Sequence, residues 1–153
     1  MLGLFKRKPV DFFSEEEKKS IVQAIERAEH RTSGEVRIYI ESHCTNADPV
    51  ARAKELFLEL KMNETAARNG VLLYLAMKDK KLAVYGDEGI HQKVGEAFWN
   101  AAVKDMLEHF NNKNFTAGIT DIIFKIGEAL TIHFPYDENS DSNELPDDIV
   151  FGK

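Results

Sequence analysis

Residues 71–77, VLLYLAM, form an uninterrupted apolar run, and this run limits the possible folds more than any other feature of the sequence. A strand that is apolar on both faces must be covered on both faces, so we expect it at the centre of a sheet with helices on either side. The turn-forming residues 78–81, KDKK, lead into a second strand-like run, LAVY, at 82–85. The two runs predict a hairpin that adds an antiparallel strand.

A helix and a strand are predicted before the hairpin. Ser14 and Glu17 have the spacing of a capping box, and the apolar spacing that follows predicts a helix over about 14–30. The segment EVRIYIE at 35–41 alternates apolar and polar side chains, which indicates a strand with one buried face.

Three more helical segments complete the order of elements. Asp48 followed by Pro49 is typical of a helix start. Apolar residues recur at helical spacing over about 89–111 and again over about 115–132. Because a strand–helix–strand unit favours parallel pairing, the chain is predicted to be an α/β protein, a three-layer α/β/α sandwich with a small mixed β-sheet flanked by helices.

The charge of the chain divides it into a body and a tail. The net charge is −6, and residues 136–153 hold six acids against one lysine. We therefore divide the chain into an N-terminal extension, 1–13, a domain, 14–135, and an acidic C-terminal tail, 136–153, which we expect to be loosely ordered and dispensable for folding. The exceptions within the tail, which could dock on the body or form an edge strand, are Leu145, Ile149, Val150 and Phe151.

Composition also limits partners and location. The sequence has no basic stripe with interleaved aromatic residues, which argues against nucleic acid as the main partner. No run approaches the ~20 apolar residues of a membrane span. The first residues, MLGLFKRKPVDFF, lack the apolar core of a secretory signal, so we expect a cytoplasmic protein, and we expect a monomer.

The predicted hairpin brings polar residues together at one edge of the sheet. It places Arg68 and Asn69 beside Asp87 and Glu88, and a parallel first strand adds Glu35. Carboxylate and amide oxygens suit calcium or magnesium better than zinc or copper. The sequence therefore predicts a calcium or magnesium site at this edge, with Asp87, Glu88, Asn69 and Glu35 as metal ligands and Arg68 and His91 as accessory residues.

Two plainer interpretations stand beside the metal site. Asp87 and Glu88 precede a helix, where acids are stabilising, and Arg68 can simply pair with them across the hairpin. His91 is either a general acid or base or a solvated surface residue. A second candidate edge, formed by Glu41, Asn46 and Asp48, ranks lower because Asp48 is better explained as a helix cap.

The segments SGEVRIYIE, DPVARAKELFLEL, RNGVLLYLAMKDKKLAVYGDEGI and FWNAAVKDMLEHFNNKNFTAGITDIIFKIGEAL resemble the TPM domain family over about residues 14–134. That family contains a thylakoid-lumen acid phosphatase, photosystem-II repair proteins and receptor-associated membrane proteins. The resemblance implies an α/β/α sandwich with an acidic cleft that takes up divalent cations, calcium among them. It places the matching motif positions at Asn69, Gly70, Gly86, Asp87 and Glu88.

Two functions follow as hypotheses. The first is a TPM-type module that binds a divalent cation, calcium in the first place and magnesium in the second, and acts by docking an unidentified protein partner. The alternative is a metal-dependent phosphatase acting on phosphate esters, with Asp87 and Glu88 holding the ion and Arg68 meeting the phosphate. The sequence leaves open whether the chain is an enzyme, because no recognised nucleophile motif is present.

Overall fold

A computed structural model describes residues 8–136 and 149–153. After a short 3₁₀ helix at Pro9–Phe12, the described residues form five α-helices and four strands. The helices are α1 (Glu15–Glu29), α2 (Pro49–Glu59), α3 (Glu88–Val94), α4 (Glu96–Asn111) and α5 (Phe115–His133). The strands are β1 (Glu35–Glu41), β2 (Gly70–Ala76), β3 (Lys81–Gly86) and β4 (Ile149–Phe151).

The four strands form one open mixed sheet in the order β3-β2-β1-β4. Strands β1 and β2 are parallel, and β3 returns antiparallel to β2. Both pairings confirm the sequence prediction. Strand β2 has a neighbour on each side and is buried along its whole length, as its unbroken apolar run requires.

Alternate residues of β2 enter two separate hydrophobic cores, one on each face of the sheet. Val71, Leu73 and Leu75 belong to a larger core with residues of α1, α3, α4 and α5. Leu72 and Tyr74 belong to a smaller core under α2. The three-layer α/β/α arrangement is therefore confirmed, with four helices on one face and one on the other.

The helix starts follow their predicted caps. Both hydrogen bonds of the capping box between Ser14 and Glu17 are present at the start of α1. The Asp48 carboxylate accepts the Val50 N–H at 3.0 Å at the start of α2. No helix in the described part of the chain is long and apolar enough to cross a membrane.

The single helix predicted over 89–111 is wrong in one respect, because it is interrupted at Gly95. That residue has φ of +78°, a conformation that glycine adopts without a steric penalty. It ends α3 and precedes α4. Apolar periodicity continues through the break, since both helices pack on the same core, and periodicity alone therefore gave no signal of it.

The C-terminal segment contains the edge strand that the apolar residues 149–151 allowed. Strand β4 pairs in parallel with β1, and Ile149 is buried in the larger core. The expectation of a loosely ordered tail is thus corrected for residues 149–153, while residues 137–148 lie outside the described part. The physical reason is that β4 covers the backbone edge of β1 and buries Ile149.

Candidate functional site

The structure contains the end of the sheet at which the polar residues were predicted to meet. Glu35 is paired with Gly70 where β1 and β2 begin, and Val71 is paired with Gly86 where β3 ends. Asp87 follows directly after β3. Because β2 lies between β1 and β3, the backbones at Glu35 and Asp87 are about two strand spacings, roughly 10 Å, apart.

Asp87 is the most constrained acid at this edge. Its carboxylate accepts the Glu88 N–H at 2.8 Å and so caps α3. It also accepts two hydrogen bonds from one guanidinium, from Arg68 Nε at 2.8 Å and from Nη2 at 2.9 Å. The Asp87 side chain is only 4% exposed, whereas that of Arg68 is 43% exposed. The plainer interpretation, a helix cap paired with an arginine, therefore describes this contact correctly.

Arg68 is held above Asp87 by an uncommon backbone conformation. Its φ is +53°, in the left-handed region that non-glycine residues rarely adopt. Hydrogen bonds to Asp87 are the main cause that raises the pKa of Arg68 above its usual value. Nη1 also lies 3.4 Å from the carboxylate of Glu88, whose side chain is 64% exposed. The guanidinium thus sits between two acids as their counter-ion.

Asn69 and Glu35 lie deeper, under the start of the sheet. Both are buried, and the Glu35 N–H donates to the Asn69 carbonyl at 3.4 Å. The Asn69 side-chain N–H donates to Ser33 Oγ at 3.3 Å. Its Oδ1 is buried and has no hydrogen-bond donor among the described residues. A buried amide oxygen without a donor is costly, so this acceptor marks the edge as polar and incompletely satisfied.

Gly89 explains the spacing of the motif GDEG at 86–89. A Cβ on Gly89 would lie 2.3 Å from the Ala67 carbonyl oxygen and 2.5 Å from that of Arg68. The Gly89 N–H instead donates to the Arg68 carbonyl at 2.9 Å. Glycine at this position lets the first turn of α3 approach the loop that carries Arg68, and so brings the guanidinium to Asp87.

His91 is exposed and lies on the first turn of α3. Its Nδ1 accepts a hydrogen bond from Trp99 Nε1 at 3.0 Å. Because an indole N–H can only donate, the neutral imidazole carries its proton on Nε2. The Trp99 bond orients the His91 ring, which is the role that the structure shows for it.

The four predicted ligands do not form a ready cation site. Within residues 8–136 and 149–153, no three His, Cys, Asp or Glu side chains are grouped so that they could hold a metal ion. Glu35 lies across β2 from Asp87, and the Asp87 oxygens already bind Arg68. A cation fits at Asp87 and Glu88 only where the guanidinium withdraws, because two cations would otherwise share one carboxylate.

A second arginine–carboxylate fork lies at the opposite end of the strands, where β1 and β2 end. Arg52 Nε and Nη2 donate to the two oxygens of Glu41, each at 3.0 Å, and the Tyr74 hydroxyl donates to the same carboxylate. Burial, followed by the Glu41 hydrogen bond, raises the pKa of Tyr74. Glu41 is buried and Arg52 is only slightly exposed, with side-chain exposures of 5% and 15%, and Arg52 Nη1 also lies 3.2 Å from the carboxylate of Glu55.

This network changes the interpretation of the second candidate edge. Glu41 is bound by Arg52, Asp48 caps α2, and the Asn46 side chain accepts the Asp48 N–H at 3.0 Å. Sequence reasoning missed Arg52 as the partner of Glu41. The available signal was an arginine one turn into a helix that follows a strand ending in glutamate, but nothing in that spacing fixes which acid the arginine meets.

The fold and this edge define a class of protein. An open mixed sheet lies between helical layers, and an acid-rich strand-to-helix corner follows a central hairpin. The model of the TPM domain family matches residues 7–129, and the chain belongs to that family.

Solved structures agree with this assignment. The chain is 41% identical to the BA42 protein of the psychrophilic bacterium Bizionia argentinensis, with a TM-score of 0.84 over 92% of this chain and 96% of that one. The N-terminal domain of a P. gingivalis protein has a TM-score of 0.67 at 14% identity, covering 82% of this chain and 83% of that one. The N-terminal domain of the cg2496 protein of Corynebacterium glutamicum has a TM-score of 0.62 at 13% identity, covering 78% and 74%. These last two show the fold alone. No curated protein matches the chain.

Proposed function

We propose that this TPM domain is a cation-responsive docking module, in which a divalent cation, calcium in the first place, exchanges with the Arg68 guanidinium at Asp87. The observation that carries the proposal is the unequal burial of this ion pair. Asp87 is buried, and its counter-ion is a half-exposed side chain. An arginine of this kind can swing into solvent and leave a fixed carboxylate behind.

The surroundings of Asp87 support a hard cation. Glu88 is exposed beside it, and Asn69 supplies a buried oxygen at the start of the neighbouring strand. Two adjacent acids, Asp87 and Glu88, share the one positive charge of the Arg68 guanidinium. Oxygen ligands with excess negative charge favour calcium, whose flexible coordination is readily completed by water.

The phosphatase alternative has no specific observation in its favour. Arg68, which would meet the phosphate, has Nε and Nη2 bound to Asp87. His91 Nδ1 is bound to Trp99. Docking needs only the exchange of cations and the movement of one side chain, so it is the function that this geometry supports best.

A calcium titration followed by amide chemical shifts tests the proposal. We expect saturable shifts at Arg68, Asp87 and Glu88, together with a higher melting temperature, because a ligand bound only to the folded state stabilises it. Asp87→Asn should abolish both effects. Asparagine is also a good N-cap, so α3 should persist in this variant.

Asp48→Asn is the matched control. Asp48 also caps a helix, but it lies near the opposite end of the strands, after the end of β1. This variant should respond to calcium as the unmodified chain does. Saturating calcium that leaves both the spectrum and the melting temperature unchanged would contradict the proposal.

A further inference from the structure

One long edge of the sheet is closed and the other is open. Strand β4 pairs with β1 and covers the first edge with the chain's own C-terminal residues. Among residues 8–136 and 149–153, strand β3 has a neighbour only in β2. Strand β3 contains no proline, and its single lysine, Lys81, is its first residue. Prolines and charged side chains usually protect an edge strand from pairing with another chain, and residues 82–86 of β3 contain neither.

The register fixes which backbone groups of β3 point away from β2. The Asp87 N–H donates to the Gly70 carbonyl at 2.9 Å, one position beyond the ladder of β2 and β3. Hydrogen-bonded positions alternate along an antiparallel ladder, so every second residue of β3 directs its N–H and C=O away from β2. The outward residues are Leu82, Val84 and Gly86. None of them makes a further backbone hydrogen bond with the residues that the structure describes.

A groove runs along this open edge. Its volume is about 570 Å³, and its walls come from the start of α2 on one face and from α4 on the other. The wall residues that matter here are Pro49, Val50, Trp99 and Val103. The wall from α2 is apolar, the wall from α4 combines Trp99 and Val103 with the polar Glu96 and Asn100, and the outward backbone of β3 lies between the two walls. The groove thus offers main-chain hydrogen bonds in the middle and apolar contacts on both sides.

The two ends of the groove carry opposite charges. Asp87, Glu88 and Glu96 line the end beyond Gly86 together with Arg68, so that end is acidic on balance. Lys80 and Lys81 stand at the other end, where β3 begins. A strand that pairs antiparallel with β3 has its N-terminal end beside the glutamates and its C-terminal end beside the lysines.

We propose that β3 accepts an extended segment of a partner protein as an antiparallel fifth strand. The segment has a basic residue at its N-terminal end, an acidic residue at its C-terminal end and apolar residues at alternate positions between them. This inference names how the partner of the proposed docking module binds, and so it rests on that function. A second copy of the chain is a poorer occupant, because the recessed edge lies between helices that the second copy would also bring.

Peptide binding to the protein tests the inference directly. The probe is the blocked heptapeptide KVTVTVE, whose three valines fall opposite the outward residues of β3 and whose charges match the two ends of the groove. We expect saturable amide shifts centred on Leu82, Val84 and Gly86, and slower hydrogen exchange at those amides. Absence of shifts at millimolar peptide, or shifts centred on another surface, would overturn the inference.

Two modified peptides provide matched controls. N-methylation of the central valine removes an N–H that faces β3 and should abolish binding. N-methylation of a neighbouring threonine, whose N–H faces away, should leave binding nearly unchanged. The peptide with its two charged ends exchanged, EVTVTVK, should bind about two- to fivefold more weakly, since exposed ion pairs contribute little each. Equal loss on both methylations would contradict strand pairing.

Val84→Pro tests the same bonds from the protein side, because its lost N–H is one that does not face β2. It should abolish peptide binding and keep the cooperative unfolding of the parent; if it fails to fold, the methylated peptides decide.

Sedimentation of the chain alone tests whether a second copy occupies the edge: a dimer that Val84→Pro dissociates would overturn the proposal of a partner segment. Every titration is run with calcium and with a chelator. Peptide binding that persists where calcium causes no shifts supports strand pairing and contradicts cation exchange.

Discussion

Two arginine–carboxylate forks hold opposite ends of the sheet, and their burial separates their roles. Glu41 is buried, Arg52 is only slightly exposed, and the Glu41 carboxylate also accepts a hydrogen bond from Tyr74. Arg68 is half exposed, although its partner Asp87 is buried. Opening the first fork leaves both charges poorly solvated, whereas opening the second moves Arg68 into water and leaves only the Asp87 carboxylate, which an incoming cation can neutralise. The first fork is therefore structural, and the second is the one that can exchange its cation.

Removal of the carboxylate charge should affect the two forks unequally. Glu41→Gln removes the two-oxygen partner of the Arg52 guanidinium and leaves it only the more exposed Glu55, so we expect a loss of about 2 kcal/mol in the free energy of unfolding. Asp87→Asn keeps the cap and lets Arg68 reach solvent, so its cost should be smaller, about 1 kcal/mol. Urea unfolding of both variants measures the difference. Equal costs would contradict the assignment of separate roles.

The carboxylate of Asp79 makes the stability of the folded protein depend on pH in the acid range. A hydrogen bond from the His43 ring, and a second from the Cys44 N–H, lower the pKa of Asp79. A carboxyl group whose folded pKa is lowered contributes stability above its unfolded pKa, about 4, and loses it as the pH falls through the folded pKa. Asp79→Asn should thus destabilise the protein by about 1 kcal/mol at pH 7 and by clearly less near pH 3. Urea midpoints that differ equally at the two pH values would contradict this origin.

Residue-level contacts were only partly predictable. The cap at Asp48 and the pairing of Arg68 with Asp87 follow from local spacing and from the hairpin. The bond between Tyr74 and Glu41 joins residues 33 positions apart on neighbouring strands. It depends on register and on the direction of two side chains, which sequence periodicity does not determine.

At the scale of elements, the hairpin was easier to predict than the break between two helices or the short last strand. The apolar run of β2 and the turn after it fixed the hairpin, because strong patterns and turn residues act locally. The break between α3 and α4 depends on the positive φ of Gly95, which leaves no trace in the apolar pattern. Strand β4 is only three residues long and gains its stability from pairing with β1.

The last strand yields the prediction at this scale. Ile149→Ala should lower the free energy of unfolding by about 2–3 kcal/mol, because Ile149 is buried in the larger core. Val150→Ala is the matched control on the next residue, which is only partly buried, and it should cost less than about 1 kcal/mol. Thermal or urea unfolding gives both values. A harmless Ile149→Ala would show that β4 does not contribute to the stability of the sheet.

At the scale of the whole molecule, the sheet separates a closed side from an adaptable one. The chain's own β4 closes one edge, while the open edge, the groove and the Arg68–Asp87 fork all meet around β3. Asp87 and Glu88 line the end of the groove itself. A cation that displaces Arg68 would change the charge and the shape of that end, which gives the proposed docking a physical link to calcium.

The affinity of the Arg68→Gln variant for calcium tests this exchange most directly. Glutamine removes the competing positive charge and leaves Asp87 and Glu88 in place, so calorimetry should show calcium binding about five- to tenfold more tightly than in the unmodified chain. The variant Arg68→Gln with Asp87→Asn should not bind. Calcium affinity that is unchanged or weaker in Arg68→Gln would contradict exchange of the cation for the guanidinium.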